Sequence, residues 1–309
     1  MDAPLRLSAE NFARAAAFLR QARPLERSLF EYHFNGGAVP HVHAALRTLQ
    51  NDDGGFHGLE ADLGIPASTV LSTCHALHCL EDLATPATHS IVAHALDFLR
   101  ANYDPVHGVW PIIPPHDNSQ PHAPWWHFSR ESAENWTSLA DNPRPDVLAC
   151  LLAFPSAQDG DLVRRVTSDT IGRVHQAGGK MEMHGLLCYL RLRPAPNLAP
   201  ELAAELDRSI PALIEPNLAR DPTQWSGYGL RPLDIAPRRD SPWRPLISRE
   251  VERHLDYLIA TQATDGSWHP HWNWGDAFPE AWPQAKLRWQ AVLTLANLRI
   301  LRSYGRLPG

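Results

Sequence analysis

The segment Tyr257-Leu258-Ile259-Ala260-Thr261-Gln262-Ala263-Thr264-Asp265-Gly266-Ser267-Trp268 decides how this chain is read. An aromatic–aliphatic pair is followed by three residues, a glutamine, three more residues and Gly-x-Trp. Ahead of the glutamine, Val251, Leu255, Leu258 and Ile259 recur at helical spacing, the pattern of an amphipathic helix. Asp265-Gly266 then ends that helix, because glycine adopts the left-handed backbone that a C-terminal cap requires. The tryptophan is left to pack back over the turn.

Working outward, the pattern recurs twice. In the stretch 46–56, Gln50 precedes Asn51-Asp52-Asp53-Gly54-Gly55-Phe56. In the other copy Phe98-Leu99 leads to Tyr103, in the glutamine's place, and then to Gly108-Val109-Trp110. After each turn the chain becomes more uniformly apolar, over 68–83, 147–154 and 286–301. A helix apolar all round is buried, whereas its amphipathic neighbour keeps one face in water. Alternation of the two kinds predicts an all-α fold in which inner and outer helices form concentric layers.

The periodicity places helices over 8–22, 39–50, 66–83, 87–102, 144–155, 160–176, 180–192, 199–214, 248–262 and 283–303, with no strand alternation. One domain over 1–309 is expected. Two long connections rich in proline and tryptophan, 104–145 and 216–245, interrupt the rhythm. Connections of that length are functional or disordered, and Trp125, Trp126, Trp136, Trp225 and Trp243 argue against disorder.

Composition narrows the functional classes. Among 309 residues, 28 Lys and Arg stand against 34 Asp and Glu, a net charge of -6. No window concentrates enough cations to neutralise a run of phosphates, so no nucleic-acid partner is expected. Apolar runs fall short of the roughly 20 residues that span a bilayer, so no integral membrane segment is expected. The opening MDAPLRLSAENFARAAAFLRQA has neither a basic n-region nor an apolar h-region. Cys74, Cys79, Cys150 and Cys188 lie in apolar helical stretches as free thiols. Both features predict a cytoplasmic location. The 11 tryptophans, 17 histidines and 28 prolines are high counts for this length, and point to a lined interior.

Gln262 to Trp268 resembles the QW motif of the squalene and oxidosqualene cyclases, and Gln50 to Phe56 resembles the Gln-x-x-Asp-Gly-Gly-Phe repeat of protein prenyltransferase β subunits. The resemblance to this terpenoid cyclase and protein prenyltransferase group covers three turns and their flanking helices. It implies an (α/α)6-type toroid of about six hairpins, whose interior opens where the inner helices begin. Class II cyclases protonate an alkene with the central acid of an Asp-x-Asp-Asp motif; the matching segment here is Asp141-Asn142-Pro143-Arg144-Pro145-Asp146, which keeps Asp146 at a helix start without its acidic neighbours. The prenyltransferase zinc ligands are not matched, because no Asp-x-Cys occurs and Ser72 stands where that family has histidine.

The implied cavity mouth selects Ser68, Thr69, Asp146, Glu182 and His184, with Lys286 and Arg288. Ser68, Thr69 and Asp146 serve equally well as helix caps. Burial raises a carboxyl pKa, which suits proton transfer by Asp146 and Glu182, with His184 beside them. Residues two apart diverge on a helix, so Glu182 and His184 are not expected to form one dyad; an ion pair of Glu182 with Arg173 is the structural alternative. Trp125, Trp126, Trp225, Tyr228, Trp272 and Trp289 either line an apolar cavity, where ring faces stabilise a carbocation, or fill a core. Trp110 and Trp268 close their turns.

Several histidine patterns carry weak metal signals. They are His75 with Cys79, Cys74 with His78, His41-Val42-His43, His269-Pro270-His271, and the loop set His116, Asp117, His122 and His127. No metal and no cofactor are expected. The leading expectation is a terpene cyclase- or isomerase-like enzyme acting by acid–base chemistry on a hydrophobic, isoprenoid-like small molecule. Alternatives are a carbohydrate-active toroid, which needs two carboxylates and stacking aromatics, and a non-catalytic binding module.

Overall fold

The computed structural model describes residues 4–308, and the described chain is all-α. In chain order the helices are α1 (Ala9–Arg20), α2 (Pro24–Asn35), α3 (Val39–Arg47), α4 (Val70–Asp82) and α5 (Ser90–Ala101). Then come α6 (Arg130–Ala133), α7 (Trp136–Asp141), α8 (Arg144–Ala153), α9 (Gly160–Gln176) and α10 (Met183–Leu192). The last are α11 (Pro200–Asn217), α12 (Pro232–Ile235), α13 (Ser248–Ala260) and α14 (Trp282–Ser303). Among the described residues only isolated β-bridges occur, and no helix is long and apolar enough to cross a membrane.

Two compact units divide the chain: a central one over Arg47–Asn217, and a terminal one formed by the chain up to Leu46 and from Leu218 onward. In the central unit α8 is the most enclosed element, buried from Arg144 through Leu152, as a helix apolar all round must be. Helices α4, α9 and α10 pack on it, with α5 against α4 and α11 against α9 and α10. In the terminal unit α1, α2 and α14 pack together around Leu19, Phe30, Leu298 and Leu301, while Val251 and Leu255 turn the apolar stripe of α13 inward.

The repeated turns share one set of bonds. Gln50 Nε2 donates to Gly54 O at 2.9 Å and to Ile91 O at 3.0 Å; Gln262 Nε2 donates to Gly266 O at 2.8 Å and to Asn11 O at 3.1 Å. Gly54 and Gly266 have φ of 86° and 87°, and a Cβ on either would lie 2.3 Å from His94 O or 2.4 Å from Arg14 C. Only glycine fits such a place. Each turn is tied to the next helix by a threonine: Phe56 N–H donates to Thr73 Oγ1 and Trp268 N–H to Thr294 Oγ1, both at 3.0 Å. Trp110 and Trp268 donate from Nε1 to Leu99 O (2.6 Å) and Leu258 O (2.8 Å), so both reach back into the helix they terminate.

The long connections are more structured than their composition predicts. Residues 104–145 contain a 3₁₀ turn at Pro124–Trp126 as well as α6 and α7, and 216–245 contains α12. Helix α2 lies in a segment with no predicted helix; it starts on Pro24 and ends at Gly36 in the left-handed conformation.

Candidate functional site

Within the central unit, three helices converge on one carboxylate. Asp146 stands in the first turn of α8 and is 1% exposed. Its Oδ1 is 2.9 Å from His78 Nε2 of α4, and its Oδ2 accepts from Arg191 Nη1 of α10 at 3.0 Å. The expectation of a raised carboxyl does not hold here. Burial does push Asp146 up, but the charge of Arg191, then the charge and hydrogen bond of His78, outweigh it and hold the carboxyl well below the usual carboxylate range. At neutral pH Asp146 is an anion, and its contribution is to fix the charge of its neighbours rather than to give a proton.

That contribution is legible on α4. Burial works against the charge of His78, yet the Asp146 carboxylate, through charge and hydrogen bond, raises its pKa to about 10. Glu81 lies 3.8 Å from its Nδ1. His75, one turn earlier on the same face, is driven the other way: burial, then the charge of Arg191, lowers it to about 4. One helix turn therefore carries an imidazolium and a neutral imidazole side by side. The side chains of His78 and Arg191 keep 27% and 42% of their surface open while burial still opposes their charge.

Three thiols border the same place. Cys150 Sγ lies 3.9 Å from His78 Nε2, and Cys188 Sγ lies 3.5 Å from Asn142 Oδ1. A hydrogen bond with Cys150 and then burial raise Cys74, while burial and then the Asp146 charge raise Cys188. Cys150 is raised as well, chiefly by burial. Thiols held protonated make poor nucleophiles and poor metal ligands. Among the described residues no three His, Cys, Asp or Glu side chains are arranged to hold a metal ion.

The remaining predicted residues fall in several places. Glu182 and His184 are exposed, at 61% and 49% of their side-chain surface, and apart from the Asp146 cluster they form the pair that helical spacing disfavoured. The reason is that Glu182 is the N-cap of α10, in extended backbone (φ -68°, ψ 148°), so its carboxylate folds over the first turn. It accepts from His184 N at 2.7 Å and lies 2.9 Å from His184 Nδ1. Arg173 pairs instead with Asp141, at 2.9 and 2.5 Å.

Ser68 and Thr69 are absorbed by the fold: Ser68 Oγ donates to Asp53 Oδ1 at 2.7 Å and accepts from Asn51, and Thr69 caps α4 by accepting from Ser72 N at 2.9 Å. Trp125 is half exposed and Trp126 half-buried on the 3₁₀ turn. In the terminal unit Trp225 is core, 1% exposed and bonded to Ala219 O at 2.7 Å, the second of the two roles its position allowed. Tyr228 is 74% exposed, whereas Trp272 and Trp289 meet edge to face at 5.0 Å.

From sequence His75 and His78 are singled out only as weak metal signals with Cys79 and Cys74, and Arg191 is not singled out. The available signals were His75-Ala76-Leu77-His78, which sets two imidazoles on one helix face, and Arg191 as the single cation within Leu186-Leu187-Cys188-Tyr189-Leu190-Arg191-Leu192. A second perturbed acid was also passed over. Glu60, 7% exposed, is pushed up to about 8 by burial and then by the charge of Asp62. No protein-family model matches this sequence, and no curated protein matches it.

Proposed function

We propose that this protein is an acid–base enzyme of the terpenoid cyclase-like α/α-toroid kind, acting on a small hydrophobic, isoprenoid-like molecule as an isomerase or lyase. The observation that carries the reading is the pair of histidines on α4 in opposite charge states, His78 charged by its 2.9 Å contact with the buried Asp146 carboxylate and His75 neutral through burial and the charge of Arg191. Titratable neighbours whose pKa values are driven apart supply the acid and the base of a proton shift. In this reading neutral His75 takes a proton from carbon. His78 returns one from Nδ1, and the open guanidinium of Arg191 stabilises the oxyanion that forms between the two steps. Asp146 is a positioning residue.

An imidazolium with a pKa near 10 is too weak an acid to protonate an isolated alkene. The charge pattern therefore favours a proton shift or elimination beside a carbonyl or hydroxyl group over polyene cyclisation. The toroid arrangement is part of the proposal, supported by alternating buried and amphipathic helices and by the recurring Gln, Gly and aromatic turns. A cytoplasmic location is also part of it, supported by four free cysteines.

The test is deuterium uptake from D₂O into a panel of isoprenoid ketones and alcohols, read by mass spectrometry, with ¹⁵N-histidine NMR titrations alongside. Uptake by the unaltered protein should fall by about 100-fold or more in His75→Gln and in His78→Gln. His78 titrating near the ordinary histidine value, or uptake indifferent to both substitutions, would sink the reading.

A further inference from the structure

The terminal unit contains a second set of polar groups that the proposed chemistry does not use. Arg231, at the start of α12, is half-buried, and among the described residues it forms no ion pair with any carboxylate side chain. Its Nη2 donates to the ring of His271, 2.5 Å from Nδ1 and 3.0 Å from Nε2, which leaves its buried Nε without an acceptor. The His271 ring meets Trp272 edge-on at 4.7 Å, and Trp272 meets Trp289 at 5.0 Å. Trp289 Nε1 is also buried without an acceptor. Contacts thus run without a break from the Arg231 guanidinium through His271 and Trp272 to Trp289, and two buried donors along them lack an acceptor. A buried donor without a protein acceptor is open to one from outside the chain, water or ligand.

Charge counting narrows what that acceptor is. Burial, then the charge of Arg231, lowers His271 to about 4, and the same two causes in the same order lower His254 to about 3, so neither adds a cation at neutral pH. Asp234 Oδ2 accepts from the Arg231 backbone N–H at 2.8 Å, and burial raises that carboxyl while Arg231 opposes the rise. One guanidinium balances at most a single negative charge. A phosphate or diphosphate, carrying two or more, would lack partners. We propose that Arg231, Trp272 and Trp289 form a binding site for a small organic carboxylate with an apolar or aromatic body, the carboxylate on the guanidinium fork and the body against the indoles.

The probe is 4-phenylbutanoate, titrated into the full-length protein and followed by tryptophan fluorescence and calorimetry, with its amide and inorganic phosphate as controls. The carboxylate should bind saturably with a Kd of about 1 mM or tighter. The amide should bind at least about tenfold more weakly, as should the carboxylate to Arg231→Gln, while His78→Gln should bind as the unaltered protein does. That last arm keeps this site's failure distinct from failure of the α4 chemistry. Trp289→Phe, which keeps the ring and removes the N–H, should weaken binding by a smaller factor. If Arg231→Gln does not fold, the carboxylate-to-amide ratio on the unaltered protein and the Trp289→Phe comparison decide the matter. No saturable binding, equal binding of the amide, or preference for phosphate would each overturn the proposal.

Discussion

The turn at Gln50–Phe56 belongs to the central unit and the turn at Gln262–Trp268 to the terminal one, yet they are built from the same bonds. In each a glutamine amide holds the glycine carbonyl, an aspartate accepts the next backbone N–H at 2.9 Å, and a threonine of the following helix receives the aromatic residue's N–H at 3.0 Å. The units part company in their histidines. Next to the central turn's helix, Asp146 holds His78 charged; in the terminal unit His254 and His271 are both held neutral, with Arg231 as the nearby charge. Repetition therefore belongs to the scaffold, whereas chemistry depends on where a single buried acid was placed. Fold-level likeness of the two units does not carry over to their sites.

The largest test of that difference is removal of the acid. Asp146→Asn leaves Arg191 and His78 without their counter-charge in a desolvated place, so stability should drop by about 3–5 kcal/mol in denaturant melts at pH 7. His78 should also lose its elevated pKa in an NMR titration, because burial and the charge of Arg191 are then opposed only by the more distant Glu81. A drop below about 1 kcal/mol would show the ion cluster to be solvent-screened, and the contrast between the units would disappear.

Next in size is the test of sameness. Gly54→Ala and Gly266→Ala each force a side chain onto backbone atoms at a positive φ, and each should cost about 3 kcal/mol or more. Equivalent turns predict equivalent losses. A difference of more than about 2 kcal/mol between the variants would mean that the bonds match but the surroundings do not yield equally.

Much of this scaffold could be read from sequence because its signals are local. Helix α9 spans the predicted 160–176, and α14 starts one residue before its predicted start, since apolar period and capping are short-range properties. No helix is expected over 24–35, although Leu25 and Leu29 have helical spacing there. The site was legible only in part. Asp146 stands out as an acid opening an apolar helix, but His78 lies 68 residues away and Arg191 45, and no periodicity announces such pairings. Once those partners are known, the carboxyl's pKa shift reverses sign. Glu182 was misread for a different reason: helical angles were applied to a residue that caps the helix from outside it.

Acid sensitivity tests the histidine contrast at intermediate size. His254 is 4% exposed, accepts from Leu233 N at 3.2 Å and has its pKa lowered to about 3. Because the folded value lies below the unfolded one, the unfolded chain binds more protons between these limits. The contribution is present above about pH 6.5 and is lost as pH falls toward 3. Moving from pH 7.5 to 5 should cost about 2 kcal/mol through this residue alone. His254→Gln should flatten the loss by that amount in paired melts, whatever its effect at pH 7.5. His78 has the opposite sign, its folded pKa being raised, so its contribution fades as pH climbs toward 10. An unchanged acid slope in His254→Gln would show that His254 is not held neutral.

The smallest effect concerns one of the places where the two turns differ in construction. Ser267 lies in the terminal turn itself and donates its hydroxyl to Asp265 Oδ1 at 2.8 Å; the central turn has Gly55 at that position and takes the hydroxyl from Ser68, which donates to Asp53 Oδ1 at 2.7 Å. A Cβ on Gly55 would lie 2.6 Å from Ser68 Cβ, so the glycine is what admits the borrowed hydroxyl. If the hydroxyls do one job, Ser68→Ala and Ser267→Ala should each lower stability by about 1 kcal/mol, the net value of a hydrogen bond to a charged acceptor that keeps a backbone partner. Ser68 also accepts from Asn51 Nδ2 at 2.9 Å, a shorter bond than the 3.4 Å one Ser267 takes from Gln290 Nε2, which makes its loss the larger of the two. Melts that give Ser68→Ala no cost would mean that Asp53 needs only its backbone donor. A ligand-contacting role for Ser68, set aside on the strength of these bonds, would then have to be reopened.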